Sequence, residues 1–432
     1  LLKIAFHTLG CKVNQYDSEA MLELFLKAGY TAVPFSDKAD VYVVNTCTVT
    51  GTGDKKSLQI SRRTLRLHPD SQLIIAGCLA QRMGKALLQM GARLVIGTQN
   101  RGQIVTLFEK AMAENLRICA VAALEETIYE PLAVSKQEER TRATLKIQEG
   151  CDRHCTYCII PSVRGPIRSR RLEDVLAEAA ALSENGYSEL VLTGIHLSSY
   201  GRDLQGDIDL SDAVLGLNAL PHVKRIRLGS LEPNLITEAF MRKLSKAEKL
   251  CPQFHPALQS GSNAVLNRMG RRYNMEMFTK AIQLIREYYP HAALTTDIIA
   301  GFPGETEEEH EETLEALKEI GFAKVHVFPY SIREGTKAAS FSGQLSKQVK
   351  DRRAREITAI GEESAEAFRQ TFVGKVRPVL FETRLENGCF EGYTPEYLRV
   401  EAKNATPGSI QNIRITKTIP DGLYGERSDH NA

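Results

Sequence analysis

The fold turns on Thr144-Leu145-Lys146-Ile147-Gln148-Glu149-Gly150-Cys151-Asp152-Arg153-His154-Cys155-Thr156-Tyr157-Cys158. Its first residues, Thr144–Gln148, read as a strand, and three cysteines then fall within eight residues. Three thiolates so spaced can wrap one cubane 4Fe–4S cluster, leaving one iron open to a substrate or cofactor. A structural zinc site takes four protein ligands. No fourth cysteine lies nearby, and only His154 could complete such a set. The cysteines follow the strand directly, which places them at its carboxyl end, where barrel folds carry their active sites.

Downstream, further strands are expected at Glu189–Thr193, Arg225–Gly229, Phe254–Leu258, Leu294–Ala300 and Lys324–Phe328, with helical patterns between them. Six βα units suit a partial (β/α)6 TIM barrel, since a full barrel needs about 250 residues. A charged helical run, Lys347 to Gln370, follows. From about Val373 the chain turns to short β-rich runs (Val376–Glu382, Tyr397–Glu401, Ile410–Thr418) between Gly, Pro and Asn turns, the pattern of a small β-barrel.

Upstream, Lys3–His7, Val41–Val44, Leu73–Ala76 and Arg93–Ile96 read as strands alternating with amphipathic helices, and hence as a parallel α/β sheet of flavodoxin-like type. Asp17 or Ser18 is the expected cap of the first helix, which ends at Gly29. Cys11, Cys47 and Cys78 each come one to four residues after a strand. Open α/β sheets bind ligands beyond the carboxyl ends of their strands, so these three can converge on a second metal site. Taken singly, each could instead be a small apolar core residue. The expected organisation is an N-terminal unit over residues 1–118, a linker over 119–140, a central unit over 141–371 and a β-barrel over 372–432.

Nine cysteines in 432 residues call for metal or catalytic roles if the chain is cytoplasmic, because that compartment disfavours disulfides. A cytoplasmic place is expected, since no apolar run approaches the ~20 residues a membrane span needs. Cys119, Cys251 and Cys389 share neither spacing nor placement and are read as incidental. Net charge is only +2, but residues 140–171 carry eight Lys or Arg against two acids around the cysteine motif. Lys55, Lys56, Arg62, Arg63 and Arg66 form a second basic run, which is either a solvated face or a contact for an RNA backbone. From Gly374 onward there are eight basic and eight acidic residues, so RNA binding by the end barrel would rest on local groups such as Tyr393 and Tyr397.

The Cys151–Cys158 motif, with Tyr157 before its last cysteine, resembles the loop of radical S-adenosylmethionine enzymes. Leu192-Thr193-Gly194-Ile195-His196, Leu258-Gln259-Ser260-Gly261-Ser262 and Ile298-Ile299-Ala300-Gly301-Phe302-Pro303-Gly304-Glu305, with the three N-terminal cysteines, extend the resemblance to the methylthiotransferases over nearly the whole chain. The end segment is similar to the TRAM domain, an RNA-binding β-barrel. Thr8-Leu9-Gly10-Cys11-Lys12-Val13-Asn14 and Asn45-Thr46-Cys47 resemble the branch that modifies threonylcarbamoyl-adenosine in tRNA. The other branches act on isopentenyl-adenosine in tRNA or on an aspartate of a ribosomal protein.

The resemblance implies two 4Fe–4S clusters, held by Cys151, Cys155 and Cys158 and by Cys11, Cys47 and Cys78. S-adenosyl-L-methionine would bind the first, with Tyr157, Thr193, Gly194, Gln259, Ser260 and Gly301 around it. Its radical would take hydrogen from C2 of adenine, the second cluster would provide sulfur, and a second S-adenosyl-L-methionine the methyl group. The implied partners are the anticodon stem-loop of tRNA, contacted by Arg62, Arg63, Tyr393 and Tyr397, and a reductant such as flavodoxin or ferredoxin. A monomer is expected. A non-catalytic iron–sulfur RNA-binding protein is the rival of a different class, but it would not need the strand-end motifs at Gln259 and Gly301.

Overall fold

The computed structural model describes residues 2–124, 128–137 and 141–428. Arg140, counted in the basic stretch, and parts of the expected linker lie outside them.

The first sheet is six-stranded and wholly parallel: β1 (Lys3–Thr8), β2 (Thr31–Ala32), β3 (Val41–Thr46), β4 (Gln72–Gly77), β5 (Leu94–Ile96) and β6 (Ile118–Ala120). Its order, β2-β1-β3-β4-β5-β6, is the flavodoxin-like order with one strand added. That added strand takes in Cys119, past the boundary expected at 118. The central strands are continuous apolar runs because helices cover both faces. The first helix, α1 (Lys12–Lys27), starts well before Asp17 and Ser18, with Cys11 as its N-cap residue. Neither Asp17 nor Ser18 is a cap: both are buried on the helix, where their side chains bind groups elsewhere in the fold.

The central unit is built from β7 (Arg142–Glu149), β8 (Arg168–Ser169), β9 (Glu189–Gly194), β10 (Arg225–Leu228), β11 (Ser230–Leu231), β12 (Gln253–Pro256), β13 (Ala293–Ala300) and β14 (Lys324–Pro329). Two four-stranded sheets, β10-β9-β7-β8 and β11-β12-β13-β14, meet at Gly229 and form a curled, partial barrel. All neighbours are parallel except the short β8. Strand side chains alternate in direction. Ala143, Leu145, Ile147, Leu190, Leu192, Phe254, Leu294 and Ile298 enter the main core. The intervening Thr144, Lys146, Gln148, Arg227, His255, Thr295 and Asp297 therefore give the opposite, concave face a polar lining.

The helix Lys347–Gln370 has the bounds expected from sequence and lies on β14, where a Cβ on Gly361 would meet the Val325 Cβ at 3.0 Å. Beyond it β15 (Val376–Arg384), β16 (Phe390–Tyr393), β17 (Arg399–Ala402), β18 (Ile410–Ile419) and β19 (Gly422–Arg427) close a barrel in the order β15-β16-β17-β19-β18. Only β17 and β19 pair in parallel.

The basic stretch around the cysteine motif is not a surface patch. Lys146, Arg153, Arg164, Arg168 and Arg170 are buried. Their counter-charges are Glu149 within the stretch and Asp17, Glu178 and Glu232 outside it. Asp17 accepts from Lys146 Nζ at 2.5 Å and Arg164 Nη1 at 3.0 Å, and pairs with Arg101. Glu149 binds Arg164 at 3.0 Å, Lys146 at 3.1 Å and Arg101 at 3.3 Å. Burial would raise both carboxyls, but the three cations hold Asp17 low and Glu149 well below the usual carboxylate range. This lattice joins the first sheet to β7.

Candidate metal and cofactor site

Cys11, Cys47 and Cys78 stand at the carboxyl ends of three adjacent strands, β1, β3 and β4. The backbone there is shaped by glycine. Gly77 has φ of +93°, and a Cβ on it would come 2.3 Å from Asn45 Oδ1. Gly10 has φ of +103°, and a Cβ there would lie 2.9 Å from the Cys47 Cβ, so the Cys11 turn and Cys47 are in close contact. Asn14 holds the two together, its Nδ2 donating to Leu9 O at 2.7 Å and Thr46 O at 2.9 Å. Sequence reading quoted Asn14 and Asn45 within the resembling motifs but gave them no role; an Asn three residues after Cys11 and another two before Cys47 were the available signal.

Cys47 and Cys78 each lie near enough to Cys11 and to Arg164 to feel their charge. Arg164 Nε donates to Cys78 Sγ at 3.1 Å. Cys11 is exposed, Cys47 half-buried and Cys78 buried, and none is in a disulfide. Such a three-thiol set, open on one side and without a fourth ligand, fits a 4Fe–4S cluster with one free iron.

The second set follows β7. Cys151 interacts electrostatically with Cys155 and Cys158. Burial pushes the Cys151 thiol up to about 12 and those of Cys158 and Cys78 up to about 11. Three donors point at the sulfurs: Arg271 Nη1 to Cys155 at 3.3 Å, the Arg153 backbone N–H to Cys151 at 3.4 Å and the Ile160 backbone N–H to Cys158. His154, the sequence's fourth-ligand candidate for zinc, is exposed; the histidine grouped with Cys151 and Asp152 is His196.

Glu232 is the hub of this region. Arg153 Nε reaches it at 3.0 Å, His196 Nε2 at 3.2 Å and Arg271 Nη2 at 3.3 Å. Burial would raise its carboxyl, but His196, Arg271 and Arg153 carry it down to about 2. Gln148, also missed in the sequence, fastens the cysteine loop. Its Nε2 donates to Glu149 O and Gly150 O at 2.8 Å, and its Oε1 accepts from His196 N at 2.6 Å.

The remaining expected cofactor residues divide. Tyr157 packs edge-on against Phe302 at 6.4 Å, beside the cysteines. Thr193 and Gly194 end β9, and a Cβ on Gly194 would meet the Gln148 Cβ at 2.8 Å. Gln259 is held at φ +67° between two backbone hydrogen bonds, with Asp297 O and Ile299 N, both at 2.9 Å. Non-glycine residues in that region carry strain that structures retain at functional sites. Ser260 is turned inward: its hydroxyl lies 3.3 Å from Thr313 Oγ1 and accepts from Ser262 N. The close approach at Gly301 is to Lys350, whose Cγ would be 2.6 Å from an added Cβ.

On α2 (Gly51–Leu67), Lys55, Lys56, Arg62, Arg63 and Arg66 are all exposed and none has an ion-pair partner among the described residues. Tyr393 and Tyr397 are committed otherwise. Their rings stack at 4.9 Å, Arg142 lies over both, and Arg227 covers Tyr397 at 4.5 Å. They form the joint between barrel and central unit, with Tyr397 still 36% exposed. Val49, Phe328 and Ile332 are large exposed apolar side chains near the seam where Arg333 Nη2 donates to Thr48 Oγ1 at 2.8 Å.

A curled βα sheet with a three-cysteine loop after its first strand, preceded by a parallel sheet with a second three-cysteine set, defines a radical S-adenosylmethionine protein of the two-site type. The Radical SAM superfamily matches residues 145–317, and the uncharacterized protein family UPF0004 matches residues 3–97. Over 423 residues the chain is 41% identical to the threonylcarbamoyladenosine tRNA methylthiotransferase MtaB of Bacillus subtilis (strain 168), spanning 96% of this chain and 94% of that one. It is 32% identical to the MtaB of Thermotoga maritima, over 99% and 97% of the two chains. It is also 32% identical to a tRNA-2-methylthio-N(6)-dimethylallyladenosine synthase of Clostridium botulinum (strain Langeland), over 97% and 95%. The chain belongs to the radical S-adenosylmethionine tRNA methylthiotransferase family, in its MtaB group. The radical S-adenosylmethionine methyltransferase TsrM from Kitasatospora setae, solved with cobalamin and a 4Fe–4S cluster bound, shares the fold at 12% identity, with a TM-score of 0.59 over 78% of this chain and 77% of that one.

Proposed function

We propose that the protein converts N6-threonylcarbamoyladenosine in the anticodon loop of tRNA to its 2-methylthio derivative. Cys151, Cys155 and Cys158 would hold the 4Fe–4S cluster that binds S-adenosyl-L-methionine; Cys11, Cys47 and Cys78 would hold the second. When bound, these groups supply a radical able to take hydrogen from an unactivated carbon, and the sulfur and methyl that replace it.

The chain's own residues position, insulate and neutralise. Arg271 and the Arg153 amide place donors on the first thiol set, and Glu232 fixes both arginines and His196. Gln148 locks the cysteine loop to the end of β9, where Thr193 and Gly194 would meet the cofactor, with Tyr157 and Gln259 on its other sides. The base must leave its stack to reach such a site. Phe328, exposed at the end of β14, offers a ring for it to rest on. Arg62 and Arg63 on the exposed face of α2 would take phosphates. A flavodoxin- or ferredoxin-like donor supplies the electron, and the enzyme acts as a cytoplasmic monomer.

The observation that carries the reading is the pairing of two open three-thiol sets, joined through Arg164, which lies six residues after Cys158 and binds Cys78. The test is nucleoside mass spectrometry after anaerobic incubation of reconstituted enzyme with S-adenosyl-L-methionine, reductant and threonylcarbamoyladenosine-containing tRNA. A methylthio gain, absent in Cys47→Ala, is expected. A gain on isopentenyl-adenosine alone would move the substrate, and a gain on neither would overturn the tRNA reading.

A further inference from the structure

Three metal-ligating side chains that belong to neither cysteine set meet on the concave face of the curled sheet. His255 lies on β12, Asp297 on β13 and His326 on β14, three neighbouring strands. Asp297 and His326 are register partners. Phe254, Leu294 and Ile298 point into the core, so His255 and Asp297 point the other way. The ligand atoms of all three lie within 4.8 Å of one another, and the two imidazole centroids are 5.9 Å apart. Both histidines line a cavity of about 380 Å³.

The hydrogen bonds assign the proton on His255. Thr295 Oγ1 gives its hydrogen to Phe254 O at 3.5 Å and accepts from Gln253 Nε2 at 3.2 Å. It therefore accepts again from His255 Nδ1 at 2.8 Å, which makes Nδ1 the protonated nitrogen and leaves Nε2 with a lone pair. That Nε2 is buried with no hydrogen-bond partner among the described residues, and Asp297 Oδ2 stands 3.2 Å from it. Two acceptors so close call for a cation. A proton would meet the need of that pair alone, whereas His326 brings a third donor atom to the same place. Burial holds the His326 ring below its ordinary value against the pull of Asp297, so it is neutral, the form that ligates metals.

We propose that His255, Asp297 and His326 form a site for a divalent transition-metal ion, separate from the two cysteine sets. Two imidazoles and one carboxylate are donors that zinc and ferrous iron take, and three protein ligands leave a further position for water or an oxygen of a bound ligand. Tetrahedral zinc, with bonds of about 2.0–2.2 Å, sets its ligand atoms roughly 3.3 Å apart, a spacing that His255 Nε2 and Asp297 Oδ2 already have at 3.2 Å. His326, the exposed member, has the side-chain freedom to close the rest. The Thr295 hydroxyl behind His255 is the kind of outer partner that fixes a ligating ring. Cations that share the cavity are compensated by their own carboxylates: Arg227 by Glu189 at 2.8 Å, Lys324 by Asp421 at 3.4 Å, and Arg399 by Glu391 and Glu401.

The test uses the full chain with its clusters reconstituted, so that the cysteines are occupied. It is dialysed without oxygen against zinc chloride and analysed for both metals. Wild type should hold about one zinc per chain with its iron content unchanged. X-ray absorption at the zinc edge should show nitrogen and oxygen neighbours and no sulfur. Asp297→Asn and His326→Ala should each weaken zinc binding roughly tenfold or more, with iron content and the melting temperature without zinc as in wild type. His326 is exposed, so its variant keeps the fold. A wild type that keeps its iron and takes up no zinc, zinc retained in both variants, or sulfur in the zinc shell would each overturn the inference. The substrate assignment stands or falls separately, since no arm of this test reads tRNA.

Discussion

Arg164 Nε donates a hydrogen bond to Cys78 Sγ at 3.1 Å, across 86 positions of sequence, while its Nη1 binds Asp17 and Glu149, each at 3.0 Å. One guanidinium thus joins the second thiol set to the structure behind the first. Removing it would leave two carboxylates buried short of a cation. Breaking a buried pair costs about 3–5 kcal/mol. Arg164→Met should lower the denaturant stability of the cluster-free protein by that order; a loss under about 1 kcal/mol would show that the lattice does not join the units.

The two thiol sets should load independently. Reconstituted wild type is expected to hold about eight irons per chain, and Cys47→Ala or Cys151→Ala about four each. Cys47→Ala should still cleave S-adenosyl-L-methionine, whereas Cys151→Ala should not. Equal loss of both clusters in either variant would mean a single shared site.

Glu189 ties Arg142, Arg225 and Arg227 beneath the end barrel. Burial would raise its carboxyl, but Arg227, Arg142 and Arg225 hold it below the ordinary value. A depressed carboxyl contributes stability above its unfolded pKa, about 4.3, and loses it as pH falls through the depressed value. Glu189→Gln should therefore melt well below wild type at pH 7, with the gap closing as pH drops below about 4. A gap that stays constant with pH would place the effect in packing instead of charge.

If Arg62 and Arg63 take phosphates, Arg62→Ala/Arg63→Ala should weaken tRNA binding and reduce the slope of log K against log salt by about 1.5. Cluster content and melting temperature should stay as in wild type, since both side chains are exposed. An unchanged slope would return this helix face to plain solvent.

Apolar runs such as Val41–Val44 and Leu73–Ala76 made the parallel sheet legible, as did the strand-end spacing of its cysteines. The helix Lys347–Gln370 was legible from its first residue, with its end near Gln370. Charge was not. Asp17 has the type and place of a cap, yet it serves Arg101, Lys146 and Arg164, partners set only by the tertiary fold. The basic run at 140–171 showed its excess of charge but not its burial, since Asp17, Glu178 and Glu232 lie outside it in sequence. In the end barrel, β16 was missed because Gly392 breaks the apolar alternation. A Cβ there would come 2.4 Å from Leu380 O, so the barrel's closeness removes the side chain that would have announced the strand. Tyr393 and Tyr397 had the composition of an RNA platform, but the guanidinium of Arg142 over both rings and that of Arg227 over Tyr397 come from another unit and were not legible.

The lattice of Asp17, Arg101, Lys146, Glu149 and Arg164 also bears on heredity. Its ion pairs cross the junction: Asp17 pairs with Lys146 and Arg164, and Arg101 with Glu149. Separated, each piece would lose partners that the other supplies to its buried charges. The N-terminal sheet is therefore not a portable cassette: lending it to another core means redrawing that core's charges where the two meet.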